Sequence, residues 1–473
     1  MKVPYDGAKR HRGRMDTSAC ITATTISAAT EQCSAIVLRP HQERGIDAVL
    51  DAFRRVRRVL FCAPTGYGKT ATTVRIIMRA LAKGRRVLFI VHRREIVLDT
   101  YRRLVAAGVP CGLVMAGEPV TDGAVQVACV ATIAARGEHP PADLIVWDEC
   151  QHTAAQSYRD IAAQYPSAWH LGLTATPERA DGQGLRDAFD ELVIGATVAE
   201  LQSTVDPATG AAFLAECDVI APPRRLSGAT LAADPVEAWF AHANGRTTIA
   251  FCRSVAESKA LAAAFCERGV VARHVDGTTP ATERDATLAA LARGEVTVVC
   301  NVMVLTEGFD APRVKCILLA RGCGSAATFL QMVGRGLRAW NGERCTLIDL
   351  GGAVREHGLP DEEPRQFTLD GIRRAPKKAR PWIRSCLVCG LTLLGCQSGL
   401  ACKRCGTPWP AVAPSKVQPA RLARVTRGNI ASRAEMRASF DALVRAAAAK
   451  GYQPGWAAHS FRAQWGFWPR GLR

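Results

Sequence analysis

Residues 58–82, RVLFCAPTGYGKTATTVRIIMRALA, run from an apolar strand-like segment through a glycine-containing turn into a helical pattern. This order of elements is the context that a phosphate-binding loop requires. Gly66 and Gly68 allow the tight turn that directs backbone N–H groups toward phosphates, and the helix N-terminus adds a favourable dipole. Ala63 replaces the first glycine of the usual pattern, which leaves the Gly-Lys-Thr core intact, and the alternative is an ordinary glycine-rich turn. Lys69 is placed to reach the β- and γ-phosphates, and Thr70 is placed to ligate Mg²⁺. The predicted ATP-binding residues of this loop are Pro64, Thr65, Gly66, Gly68, Lys69 and Thr70.

A second decisive stretch is LIVWDECQH, residues 144–152, in which an apolar strand runs directly into two carboxylates. Ligands bind at the carboxyl ends of strands in open α/β sheets, so we expect this strand to lie next to the strand before the phosphate loop. Asp148 is suited to hold Mg²⁺ through its water shell, and Glu149 is suited to orient and activate the attacking water. The alternative for an isolated Asp-Glu pair is a solvated turn.

Short apolar runs alternate with helical patterns from about residue 35, and the alternation starts again near residue 247. This rhythm predicts two α/β lobes, each a parallel sheet with helices on both faces. The intervening residues 196–235 lack strong periodicity and are interpreted as a connector with edge elements. The predicted strands are RVLFCA (58–63), RVLFIVH (86–92), VQVACV (125–130), LIVWDE (144–149) and HLGLTAT (170–176), then TTIAFCRS (247–254), VARHVDG (271–277), VTVVCNVMV (296–304), KCILLA (315–320) and CTLIDL (345–350).

Charge is concentrated at one end of the chain. The net charge is +18, and residues 371–473 contain 19 Lys/Arg against 2 Asp/Glu. A tail this basic usually meets a polyanion, most often nucleic acid, although a merely flexible tail is the alternative. No apolar run is long enough to span a bilayer, and residues 1–34 lack the apolar core of a signal peptide. We therefore expect a cytoplasmic protein without a membrane partner, and a disordered leader or a start codon misplaced ahead of Met15.

Five separate motifs occur in a characteristic order. They are LRPHQ (38–42), DECQH (148–152), which we interpret as a DExxH form with His152 in the fifth position, TAT (174–176), TEGFDAP (306–312) and QMVGRGLR (331–338). With the phosphate loop, they resemble the DEAD/DEAH-like group of superfamily 2 helicases over about residues 36–352. The resemblance implies two tandem RecA-like domains with ATP bound between them.

The resemblance also implies roles for individual residues. Gln42 would recognise the adenine edge with Arg39 nearby, and Thr174 and Thr176 would couple the nucleotide site to closure of the lobes. His152 would bridge the two acids to the second lobe, unless it is simply a satisfied histidine. The second lobe would contribute Gly308 and Asp310 to nucleotide binding and Gln331, Arg335 and Arg338 to catalysis. The two arginines are three residues apart, which predicts a shared helix face from which both point at the γ-phosphate as arginine fingers.

The implied mechanism is that ATP closes the lobes, hydrolysis opens them, and a nucleic-acid strand across both is moved. The residues predicted to face that strand are Arg93, Glu95, Thr132, Ser254 and Thr306. Their contacts to its phosphates would not depend on the base sequence. For each of these residues the alternative is a helix cap or an ordinary surface position.

A cysteine cluster lies inside the basic tail. CLVCG (386–390) and CKRCG (402–406) form the spacing C-x2-C-x12-C-x2-C. Four thiolates from two such turns suit tetrahedral Zn²⁺, so Cys386, Cys389, Cys402 and Cys405 are the predicted ligands of a zinc ribbon, with Cys396 spare. A redox dithiol pair or unliganded cysteines are the alternatives. The other thirteen of the 18 cysteines lie mostly within apolar runs, as small hydrophobes of a reduced compartment do.

The chain ends in a predicted basic helix near 430–450 and an aromatic segment that includes Trp456, Phe461, Trp465, Phe467 and Trp468. Aromatic and arginine side chains together suit base stacking and backbone contact. The alternative is a small core that packs the tail onto the second lobe. Helicase lobes followed by a zinc ribbon and such a tail resemble RadD-like and phage-encoded DNA helicases.

The expected domain organisation is a leader over 1–34, a first RecA-like domain over 35–222, a second over 223–372, a zinc ribbon over 381–410 and a basic aromatic helical tail over 428–473. The predicted function is an ATP-dependent DNA helicase or translocase in replication or repair, with ATP, Mg²⁺ and Zn²⁺ as cofactors and DNA rather than RNA as partner. Protein partners at a replication or repair site would accompany it. Two alternatives stay open: an RNA-dependent ATPase of the same fold, and a zinc-dependent nucleic-acid-binding module without turnover.

Overall fold

The computed structural model describes residues 37–92, 94–118, 121–152, 156–179, 183–222, 230–306, 311–361, 367–370, 383–385, 392–394, 416–417, 420, 422–425, 433–449, 452–453, 455–465 and 469. Two α/β lobes account for most of these residues, as the sequence predicts. Among the described helices, none combines the length and the apolar character of a bilayer-spanning segment.

The first lobe is built on a seven-stranded sheet whose pairings are all parallel. Its strand order is β3-β4-β2-β5-β6-β1-β7. Near-continuous apolar runs form the central strands because both faces of the sheet are covered by helices. The strands are β1 (Arg58–Cys62), β2 (Val87–Val91), β3 (Cys111–Val114), β4 (Val125–Cys129), β5 (Leu144–Trp147), β6 (Trp169–Thr174) and β7 (Glu191–Ile194).

Six helices of the described residues accompany this sheet. α1 begins at Pro40, a residue suited to the first turn because proline lacks the N–H that would be unpaired there. The helices are α1 (Pro40–Arg55), α2 (Lys69–Leu81), α3 (Arg94–Ala106), α4 (Val130–Arg136), α5 (Gln156–Ala163) and α6 (Val198–Ser203), and a 3-10 turn covers Cys150–His152.

One expectation about strand neighbours is wrong. The strand that carries Asp148 and Glu149 does not lie beside the strand that precedes the phosphate loop, because β6 is inserted between β5 and β1. Strand β6 ends at Thr174, so the inserted strand brings Thr174 to the sheet edge between the acids and the phosphate loop.

The second lobe repeats the plan with strand order β11-β12-β10-β13-β14-β8-β18. Its pairings are parallel except for β18, which joins the edge antiparallel to β8. The strands of this sheet are β8 (Cys217–Ala221), β10 (Thr248–Cys252), β11 (Ala272–Val275), β12 (Val298–Asn301), β13 (Cys316–Ala320), β14 (Cys345–Asp349) and β18 (Ala423–Val425). Its helices are α7 (Pro235–Ala243), α8 (Val255–Glu267), α9 (Ala281–Arg293), α10 (Ala326–Gly334) and α11 (Ala353–His357), with a 3-10 turn over Val304–Thr306.

The predicted boundary at residue 222 needs correction. Strand β8 precedes that residue but pairs with β14, so the second lobe begins before Cys217. The apolar segment CDVIA is too short to show this assignment, because a run of five residues can pair with a strand of either lobe. The chain also crosses back, because the carbonyl of Leu369 accepts from the N–H of Leu185 (2.8 Å) and Asp370 pairs with Arg186.

The tail is attached to the second lobe through short strands. β17 (Lys416–Val417) pairs with β9 (Thr230–Leu231), while β15 (Ile383–Ser385) and β16 (Thr392–Leu394) form an antiparallel pair. Two helices follow, α12 (Arg433–Ala449) and α13 (Trp456–Trp465), and pack through an edge-to-face contact of Phe440 and Phe461. Phe440 and Phe461 therefore belong to a small core between these two helices, and packing of this core onto the second lobe stays a prediction.

The buried Asp349 predicts a pH dependence of stability. Its Oδ2 accepts from the N–H of Val354 at 2.8 Å, yet burial raises the pKa of this carboxyl to about 6. Between about pH 4 and 6 the folded state holds a proton that the unfolded state releases, so the free energy of unfolding falls as the pH rises through that window. Chemical denaturation of wild type and Asp349→Asn should reveal an extra pH-dependent loss of ~3 kcal/mol in the wild type. Parallel curves for the two proteins would contradict this prediction.

Candidate functional site

The phosphate loop has the backbone that its glycines predict. Gly66 and Gly68 have φ values of 89° and 92°, in the region that glycine adopts without strain. Gly68 precedes α2, which starts at Lys69, so the loop opens directly onto a helix N-terminus. The Lys69 ammonium donates to the carbonyls of Ala63 (2.8 Å) and Pro64 (3.3 Å). Burial lowers the pKa of Lys69, and the nearby Glu149 and Asp148 oppose that shift.

Gln42 is part of the wall of the phosphate loop. Its Nε2 donates to the carbonyl of Tyr67 at 3.1 Å, and its Oε1 accepts from the N–H of Arg39 at 2.9 Å. A Cβ at Gly68 would lie 2.1 Å from that Nε2, so the contact itself requires glycine. The Tyr67 hydroxyl donates to the carbonyl of His41 at 2.7 Å. The LRPHQ segment is therefore bound directly to the loop, and recognition of adenine by Gln42 stays a prediction.

The two acids lie half-buried just past the end of β5. The N–H of Asp148 still donates to Ile90 of the neighbouring strand β2 at 3.0 Å. Glu149 then adopts a φ of 47°, which is uncommon for a residue with a side chain. Its own N–H donates to Asp148 Oδ1 at 3.1 Å. Such a conformation costs free energy and persists where neighbouring contacts impose it, most often at functional sites.

Gln151 is a site residue that the sequence interpretation missed. Its Nε2 donates to Glu149 Oε2 at 2.9 Å, and its Oε1 lies 2.9 Å from the hydroxyl of Thr174. The Thr174 hydroxyl also lies 2.7 Å from the Thr176 carbonyl and accepts from the Thr176 N–H. The sequence did contain a signal for this residue, because Gln151 is the fourth residue counted from Asp148. The DEAD and DEAH boxes have their last residue at that position. The expectation for His152 concerns a side chain outside the described residues.

The second lobe reaches the acids and the phosphate loop directly. Gln331 Nε2 lies 3.5 Å from Glu149 Oε2, the same oxygen that Gln151 contacts. Gly334 faces Thr65 so closely that a Cβ at Gly334 would lie 2.7 Å from the Thr65 Cβ. Glu149 is therefore contacted from both lobes.

The two arginines lie near the seam, as we call the place where the two lobes meet, but they are not on one helix face as predicted. Helix α10 ends at Gly334, so Arg335 and Arg338 do not share a helix face. The glycine-rich sequence ends the helix, and Arg338 instead bridges to Leu214 of the segment that joins the lobes. Arg335 is buried and donates to the carbonyl of Thr306 through Nε (3.0 Å) and Nη2 (2.5 Å). The Arg338 Cγ lies 3.9 Å from the position of a Cβ on Gly66.

Several other predicted site residues form hydrogen bonds within their own lobe or lie outside the described residues. The Thr132 hydroxyl accepts from the N–H of Ala116, and the Ser254 hydroxyl caps α8 by accepting from the N–H of Glu257, as the alternative reading predicts. Thr306 is buried and its hydroxyl donates to Met303. The predictions for Arg93, the Glu95 side chain, Gly308, Asp310 and the zinc ligands Cys386, Cys389, Cys402 and Cys405 lie outside the described residues, as do those for the side chains of Trp465, Phe467 and Trp468. Within the described part of the chain, no cluster of His, Cys, Asp and Glu is arranged to hold a metal.

Comparison with known proteins identifies both lobes. Residues 35–179 match the family model of the type III restriction enzyme res subunit, and residues 233–339 match that of the helicase conserved C-terminal domain. A 51.5 kDa protein of a Lactococcus phage is 32% identical over 311 residues, which cover 63% of this chain and 67% of the phage protein. The Schizosaccharomyces pombe protein irc3, whose name describes a mitochondrial ATP-dependent helicase, is 29% identical over 360 residues, 69% of this chain and 59% of that protein. The chain thus spans only part of the length of these relatives.

A solved structure shows the same fold. The ATP-dependent type ISP restriction-modification enzyme LlaBIII bound to DNA superposes with a TM-score of 0.52 at 19% identity. The match covers 67% of this chain and 27% of that one. At this identity the likeness concerns the fold, which agrees with the two parallel sheets described above.

The contact of Gly334 with Thr65 predicts that a substitution at Gly334 lowers ATP turnover without lowering the melting temperature. Alanine suits a helix better than glycine by about 1 kcal/mol, so Gly334→Ala should leave the melting temperature unchanged or higher. Its Cβ would nevertheless hold the lobes apart, and we expect ATP turnover to fall at least about tenfold. Thermal unfolding and a steady-state ATPase assay measure the two effects.

Gly336→Ala is the matched control. A Cβ at Gly336 would lie 2.5 Å from Cys345 Sγ and 3.0 Å from Ile317 Cγ1, both inside the second lobe. This variant should lose melting temperature, by the overpacking that costs about 1–3 kcal/mol. Full turnover in Gly334→Ala, or equal losses of melting temperature in both variants, would contradict the assignment of Gly334 to the seam.

The contacts of Gln151 predict a catalytic defect in Gln151→Leu. Leucine has a similar size but cannot hold Glu149 or meet Thr174, so kcat should fall about tenfold or more with little change in KM for ATP. Gln156→Leu on α5 is the control, because Gln156 is exposed and its Nε2 donates to Asp160 Oδ1 one helical turn away, at 2.6 Å. A wild-type kcat in Gln151→Leu would show that the link is not needed.

Proposed function

This chain belongs to the superfamily 2 helicases, and from that premise we propose that it is an ATP-dependent DNA translocase or helicase whose hydrolytic site is completed when its two lobes meet. The observation that carries the proposal is the position of Glu149. Its Oε2 is contacted by Gln151 of the first lobe at 2.9 Å and by Gln331 of the second at 3.5 Å. A carboxylate held from both sides of a seam changes its surroundings whenever the lobes move, which is what coupling of hydrolysis to movement requires.

Two side chains proposed to bind phosphate, Lys69 and Arg335, form hydrogen bonds with backbone carbonyls of this chain in the structure. The ammonium of Lys69 donates to loop carbonyls, which are weaker acceptors than phosphate oxygens. A triphosphate in the loop would attract this cation by charge and would also accept from the loop N–H groups. Arg335 and Arg338, beside the same loop, would neutralise charge that develops on the γ-phosphate.

Magnesium fits the oxygen donors that are present. Asp148 is half-buried beside Lys69, and Thr70 presents an exposed hydroxyl at the start of α2. Carboxylate and hydroxyl oxygens are hard donors that suit Mg²⁺. The ion would shield the phosphate charge, and Glu149 would orient the attacking water and take its proton.

DNA is the proposed polymer partner because the tail is basic. Residues 371–473 contain 19 Lys/Arg and 2 Asp/Glu, a charge density that suits phosphate backbones. The LlaBIII enzyme with the same fold was solved bound to DNA. RNA is the second candidate, since a phosphate backbone attracts the same charges in either polymer. RadD-like function and protein partners in replication or repair belong to the same proposal, as does a cytoplasmic location.

Zinc in the tail is proposed from cysteine spacing. Cys386 and Cys389 fall between the paired strands β15 and β16, and Cys402 and Cys405 repeat the spacing. We expect one zinc ion per chain in elemental analysis of the purified protein, and its loss in Cys386→Ser with Cys405→Ser. Zinc-free protein with freely reactive thiols would favour the redox or unliganded alternative.

ATP turnover across single-stranded DNA, duplex DNA and RNA tests the function. We expect strong stimulation by DNA, and abolition of turnover by Lys69→Ala without loss of DNA binding, because the tail supplies the DNA contacts. Stimulation by RNA alone would favour the RNA-dependent alternative. DNA binding without turnover in the wild type would favour the binding module.

A further inference from the structure

The segment between the lobes forms a short hairpin, residues 204–215, which we call the connector hairpin. Val205 and Ala212 form an antiparallel bridge, and the N–H of Asp206 donates to Ala211 at 2.8 Å. The hairpin is bound to α6, because the N–H of Leu214 donates to Leu201 at 3.1 Å. It is therefore an ordered part of the structure rather than a loose link.

One side of the connector hairpin holds Arg39. The guanidinium of Arg39 lies over the Phe213 ring, 4.5 Å from its centroid, and its Nη2 is 3.6 Å from Asp206 Oδ2. The Phe213 ring is only 5% exposed, whereas the Arg39 side chain is 39% exposed. A long flexible cation is thus ordered on a buried ring while part of it stays open to a ligand.

The other side of the connector hairpin holds the arginine segment of the second lobe. Leu214 covers Gly66, where a Cβ would lie 2.5 Å from Leu214 Cδ2. Leu214 also bridges to Arg338, and the next residue, Ala215, donates its N–H to the Leu337 carbonyl at 2.7 Å. Leu214 is therefore wedged between the phosphate loop and the segment that carries Arg338.

We infer that Phe213 and Leu214 are positioning residues for ATP hydrolysis: Phe213 holds Arg39 beside the nucleobase, and Leu214 sets Arg338 against the phosphate loop. The inference rests on the proposed function. The two residues are adjacent in the chain but contact different partners, so each role can be tested by itself. The segment that joins the lobes thereby supports Arg39 on one side and the Arg338 segment on the other.

The kinetic constants of two variants test the inference. Phe213→Leu removes the ring beneath Arg39, and KM for ATP should rise about two- to fivefold with kcat within about twofold of wild type. Leu214→Ala leaves Arg39 in place but frees the Arg338 segment, so kcat should fall at least about fivefold with KM nearly unchanged. Binding of a fluorescent ATP analogue is measured in parallel, and only Phe213→Leu should weaken it.

Conservative variants separate positioning from folding. Leu214→Met keeps the volume, so it should have wild-type constants. Phe213→Tyr keeps the aromatic face beneath Arg39, so its KM should be closer to the wild-type value than that of Phe213→Leu. Val205→Ala in the same hairpin is the control, because Val205 is 55% exposed. Melting temperatures are recorded for every variant.

Three results would overturn the inference. The first is wild-type constants in both Phe213→Leu and Leu214→Ala while the wild type hydrolyses ATP; the proposed function would then stand without it. The second is equal changes of kcat and KM that simply follow the loss of melting temperature. The third is a wild-type protein that neither binds the analogue nor hydrolyses ATP, which would remove the proposed function as well.

Discussion

Close approach of the Gly334 backbone to the Thr65 side chain, where the two lobes meet, is the constraint on which the rest of the site depends. Gly334 can face Thr65 of the phosphate loop only because it has no side chain, and the adjacent Gly66 is covered by Leu214 for the same reason. These contacts bring the end of α10 onto the loop. From there Gln331 reaches Glu149, and the chain after the helix brings Arg335 and Arg338 beside the phosphate loop.

The charged groups of the site contact main-chain carbonyls or side-chain amides, and in the proposed function a nucleotide would replace the carbonyl partners. Lys69 donates to loop carbonyls, and Arg335 donates to the carbonyl of Thr306. Hydrogen bonds to neutral carbonyls are weaker than charge-assisted bonds to phosphate, so exchange of partners would favour binding. Glu149, with its φ of 47°, is held by the side-chain amides of Gln151 and Gln331.

The sequence predicted the chemistry of the loop and the lobes better than their connections. Gly66, Gly68 and Lys69 were recognisable because their roles depend on local backbone conformation and spacing. The short, continuous apolar runs of β2 and β5 were recognisable as strands that are buried on both faces. The position of β6 between β5 and β1 and the membership of β8 in the second lobe depend on pairing between distant segments, which periodicity does not encode. Gln151 was missed because the box was counted to His152, and the end of α10 at Gly334 separated two arginines that spacing alone placed on one helix.

The most direct test of the seam is a disulfide between its two sides. Thr65→Cys and Gly334→Cys would place two sulfurs across a gap where the Cβ positions are 2.7 Å apart, close enough to cross-link after a small outward shift. The account predicts rapid oxidation of this pair, detected as a linked peptide by mass spectrometry, with faster formation when a non-hydrolysable ATP analogue is added. Absence of the linked peptide, both with and without the nucleotide, would contradict a hydrolytic site formed between the lobes.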